Sequence, residues 1–303
     1  MNPYYTDYAE YLRGFFPGVK VQKISVNTGA GCPNRDGTVG LGGCIYCNNA
    51  SFTPAYCFTT EGVAAQLEAG KRFFARKYPQ MKYIAYFQSY TTTHRQSAES
   101  LRQLCMEALG VEGVVGLAVG TRPDCIGPEA VAVLAEINKT APVFVELGVE
   151  SLHDRTLAAV NRGHTAADTV DAIGRLAAAG LHVGAHLIAG LPGESDDDVL
   201  DTVKRICSLP VESIKLHRLQ LLRKTPLMRM VESGEVTLPE PDLDAYLELC
   251  RRVVETVPRR VAIERFLASA PREEVVSPGW GLKNFEFVNL LLKRLRSETQ
   301  NKA

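Results

Sequence analysis

Apolar residues recur along this chain in two rhythms that take turns. Short runs rich in β-branched and aromatic residues, at 21–27, 82–87, 114–119, 143–149, 182–188 and 212–217, read as strands. Between them, apolar positions spaced three and four apart predict amphipathic helices at about 61–77, 97–109, 128–138, 154–161, 166–179 and 196–207. The punctuation agrees with this alternation. Gly180 stands where a helix must end before HVGAHLIAG, Pro128 falls near the first turn after TRPDCIG, and Ser195 is placed to cap a helix that opens with acids. Strand–helix units in series predict an α/β protein with a parallel sheet curled into a full or partial barrel, and ligands at the C-terminal strand ends.

Beyond about residue 225 the rhythm changes. A helix near 241–256, the short apolar stretch Val261-Ala262-Ile263, a loop rich in Pro and Gly and a last helix near 283–296 predict an α-rich C-terminal extension, 226–303, on a barrel of 21–225. Residues 1–20 are expected to form a helix-containing flank. No apolar run approaches bilayer length, and the opening MNPYYTDYAEYL carries acid and aromatics in place of a basic, apolar signal, so a cytoplasmic protein is expected.

At 303 residues and 46% apolar content the chain can bury a large core. Lysine plus arginine equal aspartate plus glutamate at 34 each, so no global field draws in a polyanion and any nucleic-acid site must be local. Arg251-Arg252, Arg259-Arg260 and the tail with Lys293, Arg294 and Arg296 are candidate patches, each equally readable as a solvated helix face.

Cysteine changes the picture most. Cys32, Cys44 and Cys47 fall within sixteen residues, in GCPNRDGTVGLGGCIYCNN, spaced by eleven residues and then two. Three thiolates on one loop can each hold an iron of a cubane cluster and leave the fourth iron open to a nitrogen or oxygen ligand. A Cys-x2-Cys pair is also a zinc half-site, with Cys57 available as a fourth thiolate. Cys105, Cys207 and Cys250 lie in helical patterns and read as small buried hydrophobes.

Together with the βα repeat, the segments CPNRDGT, GGCIYCN, YFQSYTTTH, TRPDC, VELGVES, NRGHT, HLIAGLPGE, KLHRLQLLRKTPL and SPGW make the chain resemble radical S-adenosylmethionine (SAM) enzymes. Within these it resembles the YhcC/YtqA-type family, in the group that includes the Elongator catalytic subunit and the oxygen-independent coproporphyrinogen dehydrogenases. The resemblance implies a partial (βα)6 TIM-type barrel, a [4Fe-4S] cluster on Cys32, Cys44 and Cys47, and SAM on the open iron. It implies reductive cleavage of SAM to a 5′-deoxyadenosyl radical that takes hydrogen from a substrate.

By the same resemblance, Arg162 is expected at the SAM carboxylate, Glu150 at a ribose hydroxyl or the sulfonium region, and His186 at the ribose. Gln88 stands where relatives outside the immediate family carry a Gly-Gly-Glu type segment, and offers a carbonyl to the SAM ammonium. Gly190 permits close approach to the adenosine, Leu221 belongs to an apolar adenine wall from Leu219 to Leu222, and Tyr46 accompanies the last cysteine. Implied partners are a reductant protein such as flavodoxin or ferredoxin and a tRNA substrate modified on a wobble-uridine side chain. Arg265, Arg272, Trp280 and Lys283 are the candidate RNA contacts. The alternatives are a radical enzyme acting on a small cytosolic metabolite and a non-enzymatic zinc protein.

Overall fold

The computed structural model describes residues 2–75, 80–240, 242–268 and 270–301. Nine strands are present among them: β1 (Val21–Val26), β2 (Lys82–Phe87), β3 (Val114–Thr121), β4 (Val143–Glu150), β5 (His182–Ala189), β6 (Ser213–Arg218), β7 (Leu221–Leu222), β8 (Ala262–Arg265) and β9 (Val275–Ser277). Seven of them form one sheet in the order β1-β2-β3-β4-β5-β6-β8, with every neighbouring pair parallel. β7 and β9 make a separate antiparallel pair. The helices between the strands are Val63–Ala75, Ala98–Leu109, Pro128–Asn138, Asp154–Ala159, Ala166–Ala178 and Asp196–Ser208. The end expected for the first of these, at 76–77, lies outside the described residues.

The sheet is the predicted parallel half-barrel. Its seventh strand, β8, is the apolar stretch after residue 260, so the C-terminal extension adds a strand to the same sheet. Local chemistry sets the boundaries. Thr165 and Ser195 each form a capping box, with Asp168 and Asp198 respectively, and Pro128 occupies the first turn of its helix.

Period-2 alternation explains how one sheet serves both core and site. Ile24, Val26, Val145, Leu147, Leu187, Ala189, Ile214 and Leu216 are buried in the layer beneath the helices. Their alternating neighbours Lys23, Ser25, Glu146, Gly148, His186, Ile188, Lys215 and His217 line the lumen. The lumen therefore carries charged and polar side chains where a filled barrel would be apolar. At the C-terminus, helices Leu243–Thr256 and Asn284–Asn301 pack through Tyr246, Phe287 and Leu291 around Phe266. The N-terminal segment lies along β8, where Ile263 N donates to Thr6 O at 2.9 Å.

Candidate functional site

Cys32, Cys44 and Cys47 all line a cavity of about 640 Å³ that runs into the barrel. The loop carrying them is tied down from both sides. Asn161, held at φ +52°, donates through its amide to Gly43 O at 2.8 Å and Leu41 O at 3.3 Å, and Ile45 N donates to Val160 O at 3.1 Å. Asn34 reaches the Asn161 carbonyl, and its amide lies 3.8 Å from Cys44 Sγ. Arg35 donates to Cys47 O at 3.2 Å. Burial and the neighbouring Cys44 push the Cys47 thiol up, against the opposing pull of Arg35.

Cys57 stands apart. Its buried thiol donates to Ser25 O at 3.4 Å, burial raises its pKa to about 11, and it does not line the cavity. The four-thiolate zinc arrangement is thus not assembled. Among the described residues no three His, Cys, Asp or Glu side chains converge on a single ion. Thiols that each hold a different iron of a polynuclear core need not converge in this way.

Arg162 links the thiols to the rest of the cavity. Its guanidinium lies 3.6 Å from Cys44 Sγ, donates to Gly148 O at 2.6 Å and pairs with Glu150 at 3.3 Å. Burial disfavours its charge, but Cys44 and Glu150 outweigh that and hold its pKa well above the usual value. Two features aim this pair. A bulge between Gly148 and Glu150 puts Glu150 at φ +66°, and Gly148 leaves the space the two side chains need. A Cβ on Gly148 would lie 2.7 Å from Arg162 Nη2 and 2.9 Å from Glu150 Oε1. Arg122, pinned by Asp124 at 2.8 Å and 2.9 Å, donates to the Arg162 carbonyl at 2.8 Å and so fixes its backbone. The Nε of Arg162 and the hydroxyl of Tyr46 are buried, have no hydrogen-bond partner among the described residues and belong to cavity-lining residues. Three thiols, an arginine and unpartnered polar atoms on one cavity fit a cluster with an open iron and a zwitterionic cofactor beside it.

Deeper in the lumen is a charged network of which only His186 was expected from the sequence. Glu146 accepts from both Lys23 and Lys215 and lies 2.9 Å from His186 Nε2. Glu264 accepts from Lys23 at 2.8 Å and pairs with Lys215 at 3.2 Å. Lys23 sits 4.2 Å from the centre of the Tyr8 ring, and Lys215 sits 4.7 Å from that of Tyr86. Burial disfavours every charge here, but the two lysines outweigh it at Glu146 and hold its pKa well below the carboxylate range. Burial, reinforced by Lys215, lowers His186, and burial with His186 and Arg265 nearby takes His217 lower still. The signal for these residues was present as charges in the middle of strands that otherwise read as buried.

Of the expected cofactor residues, Tyr46, Gln88, Glu150, Arg162 and His186 line the cavity. Gln88 Oε1 already accepts from Ser25 Oγ at 2.7 Å, and His186 is engaged by Glu146. Gly190 and Leu221 do not line it, although Leu219, Gln220 and Leu222 do. The space over Gly190, at φ +85°, holds the Arg218 guanidinium, which donates to Ala189 O at 2.9 Å. Among the expected RNA contacts, Trp280 stacks on Tyr246 at 5.5 Å and Arg272 donates to Gly281 O at 2.7 Å, while Arg265 lines the cavity instead of the rim. Arg251, Arg252 and Arg294 face acidic partners, and Arg259 and Arg260 donate to backbone carbonyls.

Residues 26–206 match the Radical SAM superfamily and residues 211–297 match the Radical_SAM C-terminal domain. YtqA of Bacillus subtilis strain 168 is 35% identical over 287 residues, covering 95% of this chain and 88% of YtqA. A tRNA uridine(34) acetyltransferase of Methanocaldococcus jannaschii is 28% identical over 182 residues, covering 59% of this chain and 32% of that enzyme. The solved structure of archaeal Methanocaldococcus infernus Elp3, with an N-terminal deletion, superposes with a TM-score of 0.69 at 20% identity. That superposition covers 93% of this chain, which spans 64% of the length of the Elp3 chain, and shows the shared fold.

Proposed function

We propose that this chain, which belongs to the radical SAM superfamily, modifies a wobble-uridine side chain of tRNA. It is an enzyme of that superfamily, with a [4Fe-4S] cluster and SAM as its cofactors. When bound, the cluster and SAM together supply one-electron reductive cleavage of the cofactor and removal of a hydrogen atom from substrate. The protein's own part is positioning. Cys32, Cys44 and Cys47 would hold three irons, Arg162 would offset thiolate charge beside Cys44 and offer its Nε–H to the SAM carboxylate, and Glu150 would accept from the ribose or face the sulfonium. The inward position of these groups keeps competing water and hydrogen donors away from the reacting atoms.

The observation that carries the tRNA reading is the similarity to the tRNA uridine(34) acetyltransferase, which spans 59% of this chain. A reductant is required by the family, and we assign that task to a flavodoxin or ferredoxin. The balanced charge and the acid-paired surface arginines favour a second reading, a small metabolite as substrate. No helix among the described residues is long and apolar enough to cross a membrane. The test compares tRNA nucleosides from wild-type and deletion strains and measures 5′-deoxyadenosine formation with and without tRNA. Loss of one wobble-uridine modification and faster formation with the unmodified tRNA are expected. An unchanged profile together with no stimulation favours the metabolite.

A further inference from the structure

The charges of the lumen do not all balance. Lys23 and Lys215 are matched by Glu146 and Glu264, each acid bound to both lysines. Arg265 is not matched. The register of β6 against β8 pairs Ile214 with Ile263 and Lys215 with Arg265, and this bulge lets both Glu264 and Arg265 line the cavity. Glu264 is held by the two lysines, and among the described residues Arg265 has no ion pair or hydrogen bond.

Two further groups on the same wall lack partners among the described residues. His217 Nδ1 and Gln220 Oε1 are buried without a hydrogen bond, and both residues line the cavity. The His217 ring stands 5.7 Å from that of His186, and Arg265 is one of the charges that act on it. Held neutral by burial and its cationic neighbours, His217 offers a hydrogen bond without adding charge. Arg218, on the same strand, is already turned to the Ala189 carbonyl.

We propose that Arg265, with His217 beside it, is the anion-recognition point of the substrate site and binds a carboxylate or phosphate oxyanion carried by the substrate. A guanidinium that is partly withdrawn from water gains more from an anion than a surface arginine does, because competition from solvent and salt falls with burial. Its planar fork binds two oxygens at once and so fixes orientation as well as position. The idea rests on the radical SAM reading of the cavity, but holds equally for a tRNA side chain and for a metabolite.

The test titrates reconstituted holoenzyme with sodium acetate or inorganic phosphate at constant ionic strength, set with chloride, and follows the unfolding midpoint. A saturable rise with one of these anions is expected in the wild type. Arg265→Gln should abolish it, Arg265→Lys should keep it with weaker affinity, and His217→Phe should weaken it. Saturation by acetate identifies a carboxylate and saturation by phosphate identifies a phosphate. Equal titrations in wild type and Arg265→Gln, or no saturable response to either anion, would overturn the proposal. So would a loss of SAM affinity of about tenfold or more in Arg265→Gln, which would assign the guanidinium to the cofactor. Because neither turnover nor tRNA enters these measurements, a negative tRNA result leaves the outcome intact. Should Arg265→Gln not fold, the Lys and Phe variants carry the same comparison.

Discussion

Lys23 and Glu264 lie on the two opposite edge strands of the sheet, β1 and β8, and meet at 2.8 Å inside the barrel. The strands themselves share no ladder. What draws the open edges together across the lumen is a buried ion pair reinforced by Glu146 and Lys215, at a position where a closed barrel would use backbone hydrogen bonds.

That arrangement predicts a strong asymmetry between single and double substitutions. Lys23→Met leaves Glu146 and Glu264 sharing one lysine and should cost about 3–5 kcal/mol, the usual consequence of removing one partner from a buried charge network. Lys23→Met combined with Glu264→Gln should cost clearly less than the sum of the two singles. Urea unfolding of the metal-free protein measures both, and additive costs would mean that the pair is not coupled.

The cysteine assignment is tested by metal content. Cys32→Ala, Cys44→Ala and Cys47→Ala should each bring iron and sulfide after anaerobic reconstitution close to background. Cys57→Ala should reconstitute like the wild type, since its thiol is committed to the Ser25 carbonyl and lies off the cavity.

Arg162 and Gly148 give a prediction about SAM. Arg162→Ala should weaken SAM binding by about ten- to a hundredfold, as expected for loss of a charge-assisted hydrogen bond, while leaving the cluster intact by iron and sulfide content. Gly148→Ala removes no charge, yet its new methyl would press on both Arg162 and Glu150, so it should lower SAM affinity in the same direction. Equilibrium dialysis of the two variants against wild type decides whether the paired geometry matters or only the guanidinium.

His164 predicts a pH dependence. Burial, aided by Arg162 and Arg122, lowers its pKa to about 2, against roughly 6.5 in the unfolded chain. The unfolded state therefore binds the extra proton between these values. The contribution of neutral His164 is complete above the unfolded pKa and is lost as pH falls below it, by about 1.4 kcal/mol per pH unit. Unfolding free energies at about pH 7.5 and about pH 5 should differ less in His164→Met than in the wild type.

The strands and helices of the barrel were legible because each announces itself locally. The expected strand 182–188 is found at His182–Ala189, and the expected helix 128–138 at Pro128–Asn138, each recognisable from periodicity and an end signal within a few residues. The three cysteines were legible for the same reason, lying on one loop at short spacing. The fate of the basic patches was not. Arg294 looks available in the sequence, and only the packing of helix Asn284–Asn301 on helix Leu243–Thr256 brings it to Asp244 and Glu248, whereas Arg251 has Glu248 and Glu255 within a turn on its own helix.

The sequence by itself determined the βα rhythm, the grouping of three thiols on one loop and the presence of polar and charged residues inside several strands that otherwise read as buried. Only the tertiary structure decided what those polar residues are for. Lys23 and Glu264 are 241 residues apart, Asn34 and Asn161 are 127 apart, and no local pattern encodes either meeting. Periodicity reports which face of a strand a side chain takes, whereas curling the sheet sets which strands share a lumen. The curl therefore turned separate charges into one balanced network and left Arg265 without a counterpart.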